Sequence, residues 1–176
     1  MNRSNSNIGE ANAKVINDAF ATQGYDTGKR LTEDVVKQLQ DSGLVVEVLD
    51  TLVRKPKSPD DIDYTKIVHN SDVILHLYLN EVTYQSPRGQ SAYWPRTSTT
   101  VHAYDKTGKT YLFQADTYLN RGAKESRSGN FDAKDELSFA DQDTMLVQID
   151  KVRANLEQVT KQAAQYLGTR VVEQSR

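Results

Sequence analysis

The segment "MLVQIDKVRANLEQVTKQAAQY" constrains this chain more than any other, because its apolar residues recur in a single helical phase. Met145, Ile149, Val152, Leu156, Val159, Ala163 and Tyr166 follow one another at alternating spacings of four and three, which lines them along one face of an α-helix. Asp141 or Asp143 can cap its start, and Gly168 offers a stop. A helix of roughly 24 residues reaches about 36 Å, enough to cross a sheet diagonally. Burying seven such side chains contributes roughly 10–15 kcal/mol before chain entropy is subtracted. The spacing also fits a coiled coil, but the flanking positions are not consistently charged and only about three heptads exist. A sheet belonging to the same chain is the expected partner.

The rest of the sequence supplies that sheet. "DVILHLYLNEVTY" (72–84) reads as one long strand, with Val73, Leu75, Leu77 and Leu79 on one face. The other face carries Ile74, His76, Tyr78, Val82 and Tyr84. "TSTTVHAYD" (97–105) and "TYLFQADTYL" (110–119) are two further strands, joined by "DKTGK" with Gly108 where a positive φ is needed. Setting Tyr104 opposite Thr110 pairs Ala103 with Tyr111, Val101 with Phe113 and Thr99 with Ala115 on a core face. The opposite face then pairs His102 with Leu112, Thr100 with Gln114 and Ser98 with Asp116. One residue of slip would exchange the two faces.

A fourth strand is expected in the β-branched run "LVVEVLDTLV" (44–53). It follows a helix, "YDTGKRLTEDVVKQLQDSG", with Asp26 or Thr27 as cap, a Leu31, Val35, Val36 and Leu39 stripe, and Gly43 at its end. An earlier helix is expected over 9–23, where Ala11, Val15, Ile16, Ala19 and Phe20 precede Gly24. The charged stretch 54–67 reads as a connector with a short helical turn around 60–66, and the polar stretch 120–137 as a long surface loop. The fold class is therefore α+β: a two-layer sandwich in which about four mostly antiparallel strands carry the long C-terminal helix and one or two N-terminal helices. The 176 residues fit one domain over 9–168, with a disordered lead-in at 1–8 and a tail at 169–176.

Charge and composition remove several functional classes. Lys+Arg 22 against Asp+Glu 24 leaves a net charge of −2, with no global field to draw nucleic acid or anionic lipid. No apolar run of about 18 residues could span a membrane, and the polar start "MNRSNSNIGEANAK" is no signal peptide. With no cysteine, disulfides, thiol catalysis and thiolate zinc sites are excluded. Asp60, Asp61 and Asp63 lack the glycine and distal glutamate of a calcium loop. Neither a serine nucleophile elbow, a phosphate-cradling glycine loop nor an HExxH helix occurs.

Two constellations remain. Of the three histidines, His76 and His102 fall on strand faces turned from the aliphatic core, with Glu81 or Asp116 within range if the strands are neighbours. Two imidazoles and a carboxylate could make a metal or acid–base site, although ordinary strand histidines explain them as well. Tyrosine is the other: nine against four phenylalanines and one tryptophan. Tyr78, Tyr84 and Tyr104, with Tyr93, Trp94 and Arg96 in a flanking loop, are residue types that carry binding energy at protein interfaces. Either that second face is covered by the chain itself, or it is a docking surface.

Taken together, "GKRLTEDVVKQLQDSG" with its following strand, "NSDVILHLYL" and "YDKTGKTYLFQADTYL" resemble the soluble domains of small bacterial envelope lipoproteins, loosely those of lipopolysaccharide assembly and curli secretion. The likeness covers roughly residues 25–168. It departs in lacking an opening strand before the first long helix and the lipid-bearing cysteine. The resemblance implies a periplasmic domain, held at the outer membrane by a removed N-terminal lipid anchor, that binds or scaffolds other envelope proteins. No enzymatic residue and no cofactor are carried over. The rival expectations are a small ligand-binding or enzymatic domain with a pocket near His76 and His102, and a domain that oligomerises through its terminal helix.

Overall fold

The computed structural model describes residues 14, 18, 20–22, 24–49, 62–87, 89–123 and 129–174. Its first complete helix, α1 (Thr27–Asp41), starts where Asp26 accepts a hydrogen bond from the Lys29 amide and stops at Gly43, whose φ is +87°. Leu31, Val35 and Leu39 bury its stripe. Ahead of it, Lys14, Asp18 and residues 20–22 are helical, and Phe20 is buried. The remainder of the 9–23 helix, and the lead-in at 1–8, lie outside the described residues.

Three strands follow as a meander: β1 (Val73–Gln85), β2 (Trp94–Asp105) and β3 (Tyr111–Asn120), each antiparallel to the next. A short fourth, β4 (Asn130–Asp132), lies parallel to β3 and completes the order β1-β2-β3-β4. The expected fourth strand at 44–53 is corrected: residues 44–49 form no ladder, Val45 and Val48 are exposed, and only Leu44 and Val46 pack against the core. Residues 50–53 lie outside the described ones. The fourth strand comes instead from the polar stretch 120–137, which also holds a 3-10 turn at Asp135–Leu137. There the pairing is fixed by backbone, with the Tyr118 amide donating to the Gly129 carbonyl. Side-chain pattern carried no sign of it.

Two bulges set which face each side chain takes. At the β2–β3 turn the Asp105 amide bonds the Thr110 carbonyl, one residue away from the expected register. A bulge at Leu112 then adds a second step, so Ala103 pairs with Phe113, Val101 with Ala115 and Thr99 with Thr117. Two slips preserve parity. Beyond the bulge the expected pairs are displaced by two residues and Phe113, Gln114, Ala115 and Asp116 keep their faces, whereas Tyr111, one step off before it, leaves the core face and pairs with Tyr104. On β1 a single bulge at Asn80 stands alone: Leu79 pairs with Thr99, but Glu81 pairs with Ser98. Beyond it the faces exchange, and Val82 and Tyr84 turn toward the helices rather than away from them.

The sequence ends in α2 (Gln142–Val147), capped by Asp141, and α3 (Ile149–Gln174). Met145 sits fully buried in the first; Val152, Leu156, Val159 and Ala163 are buried in the second. Gly168 does not end α3, and residues 169–174 are helical rather than a tail. Gly168 instead faces α1: a Cβ added there would collide with the Gln38 side chain. Ala164, Leu167 and Val171 join Leu31, Val35 and Leu39 in one cluster, which explains a buried stripe wider than the periodicity predicts. The helix is covered by the sheet on one side and by α1 on another. A second cluster joins Phe20, Tyr84, Phe139, Met145, Val152 and Leu156; a third joins Trp94, Leu119, Ala133, Leu137 and Val159. The α+β two-layer arrangement stands.

Candidate functional site

Away from the helices the sheet presents its far face as rows of cross-strand neighbours, and register decides their members. The first row is Ile74, Tyr104 and Tyr111; the next is His76, His102 and Gln114; the third is Tyr78, Thr100 and Asp116; the fourth is Glu81, Ser98 and Tyr118. One end is roofed by residues 62–67. There a 3-10 turn at Tyr64–Lys66, capped by Asp63, lays the Tyr64 ring on that of Tyr104 with centroids 4.0 Å apart. Gly108 makes this possible: its φ is +68°, and a Cβ there would come within 2.5 Å of the Tyr64 carbonyl carbon.

Beneath that roof, Tyr64 Oη lies 2.7 Å from His76 Nδ1. Burial, with the charge of His102 second, lowers the pKa of His76, so the ring is neutral at pH 7. Its Nδ1 shares this hydrogen bond with the Tyr64 hydroxyl, whose own pKa burial raises.

The middle of the face is one connected network, and Asp116 fixes its polarity. Its two oxygens accept from Gln114 Nε2 at 2.7 Å and from Thr100 Oγ1 at 2.6 Å. With the amide nitrogen of Gln114 held by the carboxylate, its Oε1 must face His102 Nε2, 3.0 Å away. His102 Nε2 thus carries the proton and donates. Tyr78 Oη is 3.1 Å from the same nitrogen, and Asn80 Nδ2 donates to Thr100 Oγ1 at 2.8 Å. Tyr111 Oη donates to Gln114 Oε1 at 3.2 Å. His102 is only 3% exposed, and its Nδ1 has no hydrogen-bond partner among the described residues.

The expected interface residues separate. Tyr84 is 0% exposed, packed edge-on against Phe139 in the second cluster. Trp94 opens β2 rather than lying in a loop; it is 7% exposed, with the Arg121 guanidinium 5.4 Å from its ring centroid. Tyr104 keeps the far face but is buried beneath Tyr64. Tyr93 bridges to Phe139 through paired backbone hydrogen bonds and is half-buried. Tyr78 and Arg96 are half-buried on the far face, Arg96 meeting Glu81 at 3.0 Å and the Tyr118 ring at 5.7 Å. Tyr84, Trp94 and Tyr104 are therefore corrected to core positions. The bulge at Asn80 is the cause for Tyr84, and the roof at Tyr64 for Tyr104.

His76 and His102 are direct cross-strand partners, as neighbouring strands require. Their surroundings are filled by Tyr64, Tyr78 and Tyr111 rather than opened into a pocket. Of the two leading concavities, one lies along α3 beside Asp132 and Lys134, and the other lies between Phe20 and Val82; neither includes either histidine. No group of three or more metal-ligating side chains forms among the described residues. Sequence reasoning placed Gln114 on this face, opposite Thr100 rather than His102, set Tyr111 on the core face and missed Tyr64. The bulge at Leu112 accounts for Tyr111, and nothing local marks a tyrosine in a connector.

No protein-family model, no curated protein and no solved structure matches the chain.

Proposed function

We propose that this chain is a non-enzymatic protein-binding domain of the envelope-lipoprotein type, scaffolding other envelope proteins through the far face of its sheet. One observation carries the reading. The described helices cover one side of the sheet, while the other side presents Tyr78, Tyr111, Gln114 and Asp116, several of them oriented in advance by the Asp116 network, with Leu112 exposed in the bulge beside Tyr111. Tyr111 is 37% exposed and Leu112 47%, flanked by polar groups. Rings fixed in place lose little entropy on binding, which is what an interface surface needs. The periplasmic placement and lipid anchor come with the lipoprotein resemblance.

The test is site-specific photo-crosslinking in cells, with the crosslinker at Leu112 and, for comparison, at Val147 on the helical side, 84% exposed. The expected result is one defined envelope protein joined at Leu112, retrieved reciprocally when that protein is the bait, and absent at Val147. Equal products at both positions, or a product only among cytosolic proteins after fractionation, would sink the reading.

A further inference from the structure

A surface distinct from the far face lies along the edge of the sheet. β1 is the terminal strand in the order β1-β2-β3-β4, and no backbone hydrogen bond joins residues 79–82 to a further strand among the described residues. Bare strand edges are templates for another strand. Here the edge is also the wall of a concavity. The segment holding Phe20, Tyr25 and Asp26 stands opposite Leu79, Glu81 and Val82, leaving a groove between them. Phe20 is buried and Leu79 and Val82 half-buried, so the floor is apolar. Two carboxylates line it, Asp26 and Glu81, and neither lysine nor arginine does. Glu81 already meets Arg96 at 3.0 Å, whereas Asp26 is exposed and bonds only the Lys29 amide among the described groups. Asp26 is therefore the stronger attraction for a cation.

We propose that this groove takes an extended peptide segment of a partner protein, alternating apolar and basic residues, which adds as a strand to the outer edge of β1 near the Asn80 bulge. Backbone hydrogen bonds give such additions their affinity, and alternate side chains give the selectivity. The apolar side chains would rest on Phe20 and Val82 and the basic ones would meet Asp26.

The experiment titrates the full chain with the capped peptide Lys-Val-Lys-Val-Lys-Val, following amide shifts by NMR. Shifts centred on residues 79–82 are expected. Methylating alternate peptide nitrogens in one phase should abolish them, while methylation in the other phase should leave them, since only one peptide edge pairs. Replacing the peptide lysines by glutamate is expected to weaken binding about tenfold. Asp26→Ser keeps a helix cap while removing the charge; it should weaken the lysine peptide several-fold and leave the melting temperature nearly unchanged. Absence of binding at millimolar peptide overturns the proposal. So do shifts confined to the far face, indifference to both methylation phases, or no response to Asp26→Ser. A mass that doubles with concentration, with the same amides shifting, would assign the edge to a second copy and overturn it too. Crosslinking at Leu112 reads the other surface, so either result can fail without the other.

Discussion

The two faces of this sheet are stabilised by opposite means. Toward the helices, Val101, Ala115 and Leu119 are buried against α1, α3 and the Asp135–Leu137 turn, and stability there scales with apolar area and close packing. Even the polar members of that face are paired inward, as the Thr99 and Thr117 hydroxyls are with each other. On the far face, His102 and Thr100 are buried almost as deeply, at 3% and 4% exposed, yet their neighbours are polar. What holds them is a chain of hydrogen bonds whose directions follow from one carboxylate. An apolar face tolerates exchange of one aliphatic residue for another; a hydrogen-bonded one fails when a single donor is left without its acceptor.

The sharpest way to break the comparison is on the helix side. Leu167 is 0% exposed between α1 and the sheet. Leu167→Ala is expected to cost about 2–5 kcal/mol, read by chemical denaturation. A cost near that of a surface change would mean that α3 does not close the core.

Gly108→Ala should come next, at about 1–3 kcal/mol, since it combines a left-handed backbone angle that alanine adopts only at a cost with a collision against the Tyr64 carbonyl. The same variant should lift the roof, and faster hydrogen exchange at residues 64–67 would report it. A stability loss with no change in that exchange would show that the roof does not depend on the hairpin.

The network is tested by Gln114→Ala, which leaves the buried Nε2–H of His102 without its amide acceptor. A loss of about 1–2 kcal/mol is expected. Tyr111→Ala, at the exposed margin, should cost about 0.5 kcal/mol or less. If the two are equal, Gln114 contributes only surface, and the ordering attributed to Asp116 is wrong.

Acid provides the smallest and most specific readout. The pKa of His76 is lowered in the folded chain, so below its unfolded value of about 6.5 the unfolded state binds more protons. Its contribution to stability is fully present above that pH and is lost as pH falls toward the folded pKa. The slope of stability against pH just under 6.5 should therefore shrink in His76→Gln. An unchanged slope would place the acid sensitivity elsewhere.

Much of this was legible in the residues. The phase of Met145 through Ala163, the cap at Asp26 and the positive φ of Gly108 and Gly43 all follow from local stereochemistry, and the structure keeps them. What was not legible depends on events that leave no side-chain pattern. β4 is set by backbone pairing to Gly129. Gly168 looks like a helix stop locally, but tertiary contact with Gln38 on α1 explains it. Residues 44–49 have strand propensity without a strand to pair with, and propensity alone does not make a ladder. For the candidate site, the alternation of β1 correctly gave His76 and Tyr78, then misplaced Tyr84 because period-2 counting cannot see an inserted residue.

That inserted residue, Asn80, makes this strand unequally tolerant of two kinds of genetic change. Exchanging its side chain alters one bond to Thr100, and removing the position would join Leu79 opposite Thr99 directly to Glu81 opposite Ser98. Glu81 would keep the far face and the ring of Tyr84 its place beside Phe139, whereas removing a paired residue of the strand would exchange the faces on one side of the gap. Lineages of this domain can therefore exchange or lose the residue at position 80 far more freely than they can lose a paired one.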